Sequence, residues 1–166
     1  MKSYVSELKA VLDKLDFDKI EELIRLIKKA NMVWVVGNGG SCSTAEHLCE
    51  DLIKMTYKRA VAVTNSSLLL MSANDEGFEN VFLYPLMRLV EKDDLVIGIT
   101  IGGKSKNILN VLEHDLLGCD TFAITGLGGK DIDANKIVIQ SSDYQIAEDV
   151  CLTICHTVCK CYGTTK

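Results

Sequence analysis

The chain has 166 residues, 48% of them hydrophobic and 25% charged, which is the composition of one globular domain and excludes a disordered or low-complexity chain. A domain of this length buries roughly two-thirds of its unfolded surface and needs no disulfide staples. The net charge of −5, with Lys and Arg scattered, argues against a general nucleic-acid surface, so an anionic ligand must be gripped by local geometry.

In chain order, residues 3 to 14 place Tyr4, Val5, Leu8, Val11 and Leu12 at helical spacing. Residues 17 to 30 repeat the pattern with Ile20, Leu23, Ile24 and Ile27, and Asp18 is the expected cap. The opening "MKSYVSELKAVLDKLDF" is amphipathic and lacks the apolar core of a signal peptide. No apolar run reaches the roughly 18 residues of a membrane span, so the expectation is a cytoplasmic protein with no membrane partner. "MVWVVG" (32–37) is apolar throughout and reads as a buried parallel strand. Four similar runs follow at 60–64, 95–101, 121–125 and 136–140, with helical patterns at 42–56, 78–90, 105–117 and about 146–161. This alternation predicts a single three-layer α/β/α sandwich around a five-stranded parallel sheet. The two leading helices, residues 1–30, either cover the sheet or pack against another subunit. Right-handed crossovers put every strand C-terminus, and the loop after it, on one edge.

Three of those loops are rich in glycine and hydroxyls: Gly37-Asn38-Gly39-Gly40-Ser41, Thr100-Ile101-Gly102-Gly103-Lys104-Ser105 and Thr125-Gly126-Leu127-Gly128-Gly129-Lys130. Glycine lets backbone N–H groups approach an anion, and a following helix N-terminus favours negative charge. One such loop is an ordinary tight turn; three on one edge, two leading into helices, point to an anion site. No G-x-G-x-x-G fingerprint follows the first strand, which disfavours a dinucleotide fold.

His47 and Asp51 are four residues apart and share a helix face. By itself such a pair is more commonly a surface hydrogen bond than a metal site. His156 stands in the apolar stretch "IAEDVCLTICHTVCKCY", with Glu148 eight residues before it. Eight residues of helix rise about 12 Å, so sharing one ion would require Glu148 to sit in the first turn or before it. His114, near a helix end, reads as solvated. The seven cysteines form no C-x-x-C pair and read as buried free thiols of a reducing compartment.

These residues carry a resemblance. "GNGGS" (37–41), H-x-x-x-[acid] in the next helix, "SANDEGF" (72–78), "GITIGGKSKNIL" (98–109), "AITGLGG" (123–129) and the late histidine occur in the order found in single-domain sugar isomerase (SIS) proteins. The chain is most similar to the sedoheptulose-7-phosphate, or phosphoheptose, isomerases, from about residue 15 to 161. The resemblance implies an SIS fold, a homotetramer with active sites shared between subunits, and N-terminal helices engaged in oligomer packing. It also implies one Zn2+ per site, held by His47, Asp51, Glu148 and His156. The implied reaction is aldose–ketose isomerisation of sedoheptulose 7-phosphate to glycero-manno-heptose 7-phosphate through an enediol, a step towards the heptose of surface polysaccharides. Asp51 is then the base and His156 the acid. Asn38, Gly39, Gly40, Ser41, Asn74, Asp75, Thr100, Gly102, Lys104 and Ser105 would bind the phosphosugar.

The chain departs from the family pattern at four places. Asp51 and Glu148 stand where the family has Glu and Gln; both keep oxygen donors suited to zinc. The family loop S-T-S-G-N-S reads T-I-G-G-K-S, so one hydroxyl becomes Gly102 and Lys104 is new. Gln145 occupies the place of a further family acid. Three other readings remain open on the sequence: a non-catalytic SIS protein such as those binding the replication initiator DnaA, a sugar-phosphate sensor, and an isomerase of another ketose phosphate.

Overall fold

The computed structural model describes residues 2–163. Helices α1 (Lys2–Leu12) and α2 (Phe17–Lys29) precede strand β1 (Val33–Gly37). Helix α3 (Gly40–Asp51) follows, its last turn widening into a π-helix over Leu52–Thr56, and then β2 (Ala60–Ala62) and α4 (Ser66–Glu76). A 3₁₀ turn (Phe78–Asn80) leads to α5 (Leu83–Leu89), β3 (Leu95–Thr100) and α6 (Lys106–Glu113). The chain ends with β4 (Asp120–Gly126), a 3₁₀ turn (Leu127–Gly129), β5 (Asn135–Ile139) and α7 (Tyr144–Cys161).

The five strands pair in parallel in the order β2-β1-β3-β4-β5. Gly37 lies opposite Ile99, Thr100 opposite Thr125 and Gly126 opposite Ile139, so the glycine loops leave one sheet edge. Successive strand residues feed opposite cores, the two-residue period of a pleated strand. Val35, Ile97, Phe122 and Ile124 pack with Leu23, Ile27, Leu48 and Ile154 from α2, α3 and α7. Trp34, Val36, Val96 and Ala123 pack with Leu86, Ile108 and Leu112 from α5 and α6. Each fully buried Leu, Ile or Phe contributes roughly 1.5–3 kcal/mol relative to exposure, which makes these two layers the main stabilising term. The buried carboxylate of Asp94 is satisfied: it accepts from Trp34 Nε1 at 2.9 Å and from the Glu91 N–H at 3.0 Å.

The layered α/β/α architecture and all five strands match the sequence expectation. Several details do not. The cap of α2 is Asp16, whose Oδ1 accepts from the Lys19 N–H at 3.1 Å; Asp18 sits inside the first turn. Helix α4 is absent from the sequence reading because Leu68, Leu69, Leu70 and Met71 are consecutive rather than spaced along one face, and only Ser72 is buried. The 78–90 pattern divides into a 3₁₀ turn and a short helix that takes Pro85 in its first turn, where the missing N–H costs nothing. Helix α2 uses its apolar stripe inside the chain: Ile20, Leu23, Ile24 and Ile27 are buried. Helix α1 lies on α7, tied by Tyr4 Oη donating to Asp149 at 2.8 Å. Among the described residues no helix is long and apolar enough to cross a membrane, and all seven cysteines are free thiols.

Candidate active site

Helices α3 and α7 pack side by side on one face of the sheet. His47 and Asp51, one turn apart on α3, face His156 near the end of α7. His156 Nε2 lies 3.3 Å from His47 Nε2, and Asp51 Oδ2 lies 3.7 Å and 3.8 Å from the two nitrogens. The rings meet edge to face, with centroids 5.0 Å apart. Both imidazoles are about half exposed while the carboxylate is 18% exposed, so the group opens to solvent through its histidines. Behind it, burial and the Asp51 carboxylate push the Cys159 thiol up to about 12, and burial pushes Cys49 to about 12. Those thiols stay protonated and serve as packing rather than as nucleophiles or soft ligands.

Three donor atoms, two imidazole nitrogens and a carboxylate oxygen, lie within 4.8 Å of one another. Four ligands arranged tetrahedrally at zinc–ligand distances of about 2.1 Å stand roughly 3.4 Å apart, close to the spacings found here. The donor chemistry suits a borderline divalent ion. Glu148 is not part of this group. Its carboxylate lies beside Gly40 at the start of α3, because α7 begins at Tyr144 and holds Glu148 one turn in, two turns before His156.

Near the cluster, at the sheet edge, a cleft of about 310 Å³ is lined by Asn38, Ser41, Thr100, Gly102, Lys104, Ser105, Tyr144 and Glu148, among others. Seven of the positions singled out in the sequence therefore share one cavity: Asn38, Ser41, Thr100, Gly102, Lys104, Ser105 and Glu148. Thr100 is 3% exposed and its Oγ1 has no hydrogen-bond partner among the described residues. A buried hydroxyl left unpaired costs about 1–3 kcal/mol, and here it borders a cavity able to hold an acceptor or donor. Ser105 caps α6, presenting that helix N-terminus to the same space.

The other positions are placed differently. Asn38 exchanges two hydrogen bonds with buried Asn107, at 2.9 Å and 3.0 Å, and so braces the first loop against α6. Asn107 is a site-building residue that no spacing rule singles out. Gly39 lines a separate apolar groove with α4, while Gly40 abuts Glu148. Asn74 and Asp75 lie in the exposed last turn of α4, bonded to each other at 2.7 Å and outside the cleft. No residue of the third glycine loop lines the cleft. That loop props the second: Gly103 has φ +65° and its Cα lies against the Gly129 backbone so closely that no Cβ fits. Tyr144 and Gln145 are exposed at the head of α7, and of the two Tyr144 lines the cleft. Tyr144 is the wall residue that sequence reasoning missed.

No family model matches the chain. Curated proteins do. The chain is 32% identical over 152 residues to the phosphoheptose isomerase of Pelobacter propionicus, covering 86% of this chain and 80% of that protein. It is 34% identical over 145 residues to that of Aquifex aeolicus, covering 81% and 75%. Among solved structures, the phosphoheptose isomerase of Neisseria gonorrhoeae superposes with a TM-score of 0.87 at 22% identity, over 98% of this chain and 94% of that one. Identity of this level over most of both sequences, together with the shared fold, gives the conclusion: the chain belongs to the phosphoheptose isomerase family.

Proposed function

We propose that the protein isomerises sedoheptulose 7-phosphate to glycero-manno-heptose 7-phosphate. The observation that carries this reading is the convergence of His47, Asp51 and His156, from two distant segments, on the same two helices whose N-terminal ends line a polar cleft of about 310 Å³. Helix α3 starts at the cleft and reaches His47 seven residues later, a rise of about 10 Å. A seven-carbon sugar carries its carbonyl and its phosphate at opposite ends, and needs two sites separated along such a line.

The cleft holds the phosphate through Ser41, Thr100, Lys104 and Ser105, which fixes the distance of the carbonyl end from the cluster. The reaction removes a proton from C1 of the ketose, passes through an enediol and returns a proton to C2, while the O1 proton leaves and O2 gains one. Asp51 accepts the carbon-bound proton and His156 gives and takes the oxygen-bound proton. His47, Asp51 and His156 would hold a divalent ion, with zinc favoured by the donor set; when bound it supplies polarisation of the carbonyl and stabilises enediolate charge. Glu148 faces the sugar from the cleft wall, and Asn38 reaches its hydroxyls from the braced first loop. Asn74 and Asp75 enter only if a second subunit brings its α4 to the site, which fits a homotetramer with shared active sites and oligomer contacts made by α1. A reducing cytoplasm suits seven free thiols.

The test is to incubate the protein with a panel of ketose phosphates, with and without a chelator, and to look for aldose product. Product from sedoheptulose 7-phosphate that disappears on chelation supports the reading. Phosphosugar binding without any aldose product, in metal-loaded protein, would make it a non-catalytic SIS protein instead.

A further inference from the structure

We infer that Tyr144 is a phosphate-binding and specificity-determining residue, taking over with Lys104 the end of the cleft that a side chain at position 102 would otherwise fill. The inference rests on the sugar-phosphate reading of the cleft and names how its phosphate end is built in this chain.

Tyr144 is the first residue of α7, and its place is set by a local lock. Asp143 Oδ1 accepts from the Ile146 N–H at 3.0 Å, and the Asp143 N–H donates to Ser141 Oγ at 3.1 Å. The turn sets where α7 starts, and the phenol of its first residue lies against Gly102 of the second glycine loop. Its hydroxyl occupies the space where a Cβ on residue 102 would stand, well inside van der Waals contact. A side chain at 102 would therefore displace the phenol, which fills the space that glycine leaves. The hydroxyl makes no hydrogen bond among the described residues, although it projects into a polar cleft.

Three features around it point to an anion. Thr100, whose buried Oγ1 is unpaired, lines the same cleft. Lys104 lines it, and so does Ser105 at the N-cap of α6. The phenol also forms the wall towards a second cavity of about 160 Å³ behind Ser141 and Ser142, so it decides how deep a ligand can enter. Tyrosine O–H is a neutral donor, and with Lys104 lining the same cleft a phosphate gains one directed hydrogen bond and one charge. Glu148, one turn along α7, also lines the cleft, and its carboxylate would oppose a second anion there.

The test compares Tyr144→Phe, Gly102→Ala and the double variant in metal-loaded protein. Two readouts are used: steady-state kinetics on sedoheptulose 7-phosphate, and titration calorimetry with inorganic phosphate. Tyr144 is 56% exposed, so its loss of a hydroxyl leaves the fold and melting temperature unchanged. Expected for Tyr144→Phe is a rise of about tenfold, equivalent to about 1.4 kcal/mol, in both KM and the phosphate Kd, with kcat nearly constant. Gly102→Ala gives a similar rise because it moves the phenol, and the double variant is no worse than either single one, the non-additivity of two changes acting on one contact. An unchanged phosphate Kd and KM in Tyr144→Phe, or additive losses in the double variant, overturns the inference. Wild-type protein that binds phosphate through Tyr144 but forms no aldose sinks the isomerase reading and leaves this one standing.

Discussion

His156 Nε2 stands 3.3 Å from His47 Nε2, across 109 positions of sequence, with the ring planes 66° apart and Asp51 closing the triangle. Two half-exposed imidazoles held this close, with no backbone partner and one carboxylate between them, form an arrangement whose natural complement is a cation.

Replacing His156 with alanine should therefore remove catalysis and spare the fold. The side chain is half exposed and its ring meets that of His47, so a stability change below about 1 kcal/mol is expected. Turnover should fall by at least about a hundredfold, the usual contribution of one acid–base group. Retained activity alongside an unaltered circular dichroism spectrum would remove His156 from the mechanism.

Metal content offers an independent check. Protein dialysed against zinc and then against buffer should retain about one ion per chain, the stoichiometry expected of the three-donor group. Excess zinc at about a hundred times its Kd should stabilise the fold by about 2.7 kcal/mol. His47→Ala and Asp51→Asn should each abolish this shift in melting temperature, while Glu148→Gln should preserve it, because Glu148 lies by Gly40 and not with the other three donors.

Thr100→Val should move stability and affinity in opposite directions. The hydroxyl is buried and unpaired, so exchanging it for a methyl group relieves a desolvation penalty and should stabilise the apo protein by up to about 1 kcal/mol. Phosphate affinity should drop in the same variant. A loss of stability would mean that the hydroxyl has a partner in the folded chain.

Gly103→Ala should be severely destabilising, by about 2 kcal/mol or more, since a left-handed backbone and a Cβ pressed into the Gly129 main chain act together. Thermal unfolding reads this directly. A melting temperature equal to wild type would mean that the second and third loops do not touch.

The buried thiols predict an alkaline limit to stability. Cys49 and Cys159 are pushed up from 9.0 to about 12 in the folded chain by burial. Above pH 9 the unfolded chain releases protons that the native state keeps, so unfolding free energy falls as pH rises from about 9 to about 12, and is unaffected by these groups below that window. Urea titrations across the window should show the decline. Thiol reagents at neutral pH should label these two cysteines only after denaturation.

The legible part of this protein was its periodicity and its punctuation. "MVWVVG" and the four runs like it announce a sheet buried on both faces, since a strand covered by helices on each side can carry no polar alternation. The glycine loops were equally plain as strand ends. Helix α4 was not, because its leucines are adjacent rather than spaced and it is held at the edge of the fold by Asn65, which accepts from the Leu68 N–H, rather than by an apolar stripe. Asn107 and Tyr144 were invisible for a related reason: a buried amide bracing a loop and a phenol lying over a glycine leave no pattern in the residues around them.

The sequence by itself determined the strand–helix alternation, the anion-type loops and the pairing of His47 with Asp51 on one helix face, because each depends only on neighbours a few residues away. Which distant side chain would complete that pair, and which glycine loop would face the cleft rather than prop another, depended on how α7 lies across α3 and how the loops stack at the sheet edge. Those are contacts between segments well separated along the chain, decided by packing, and only the folded chain brings them together.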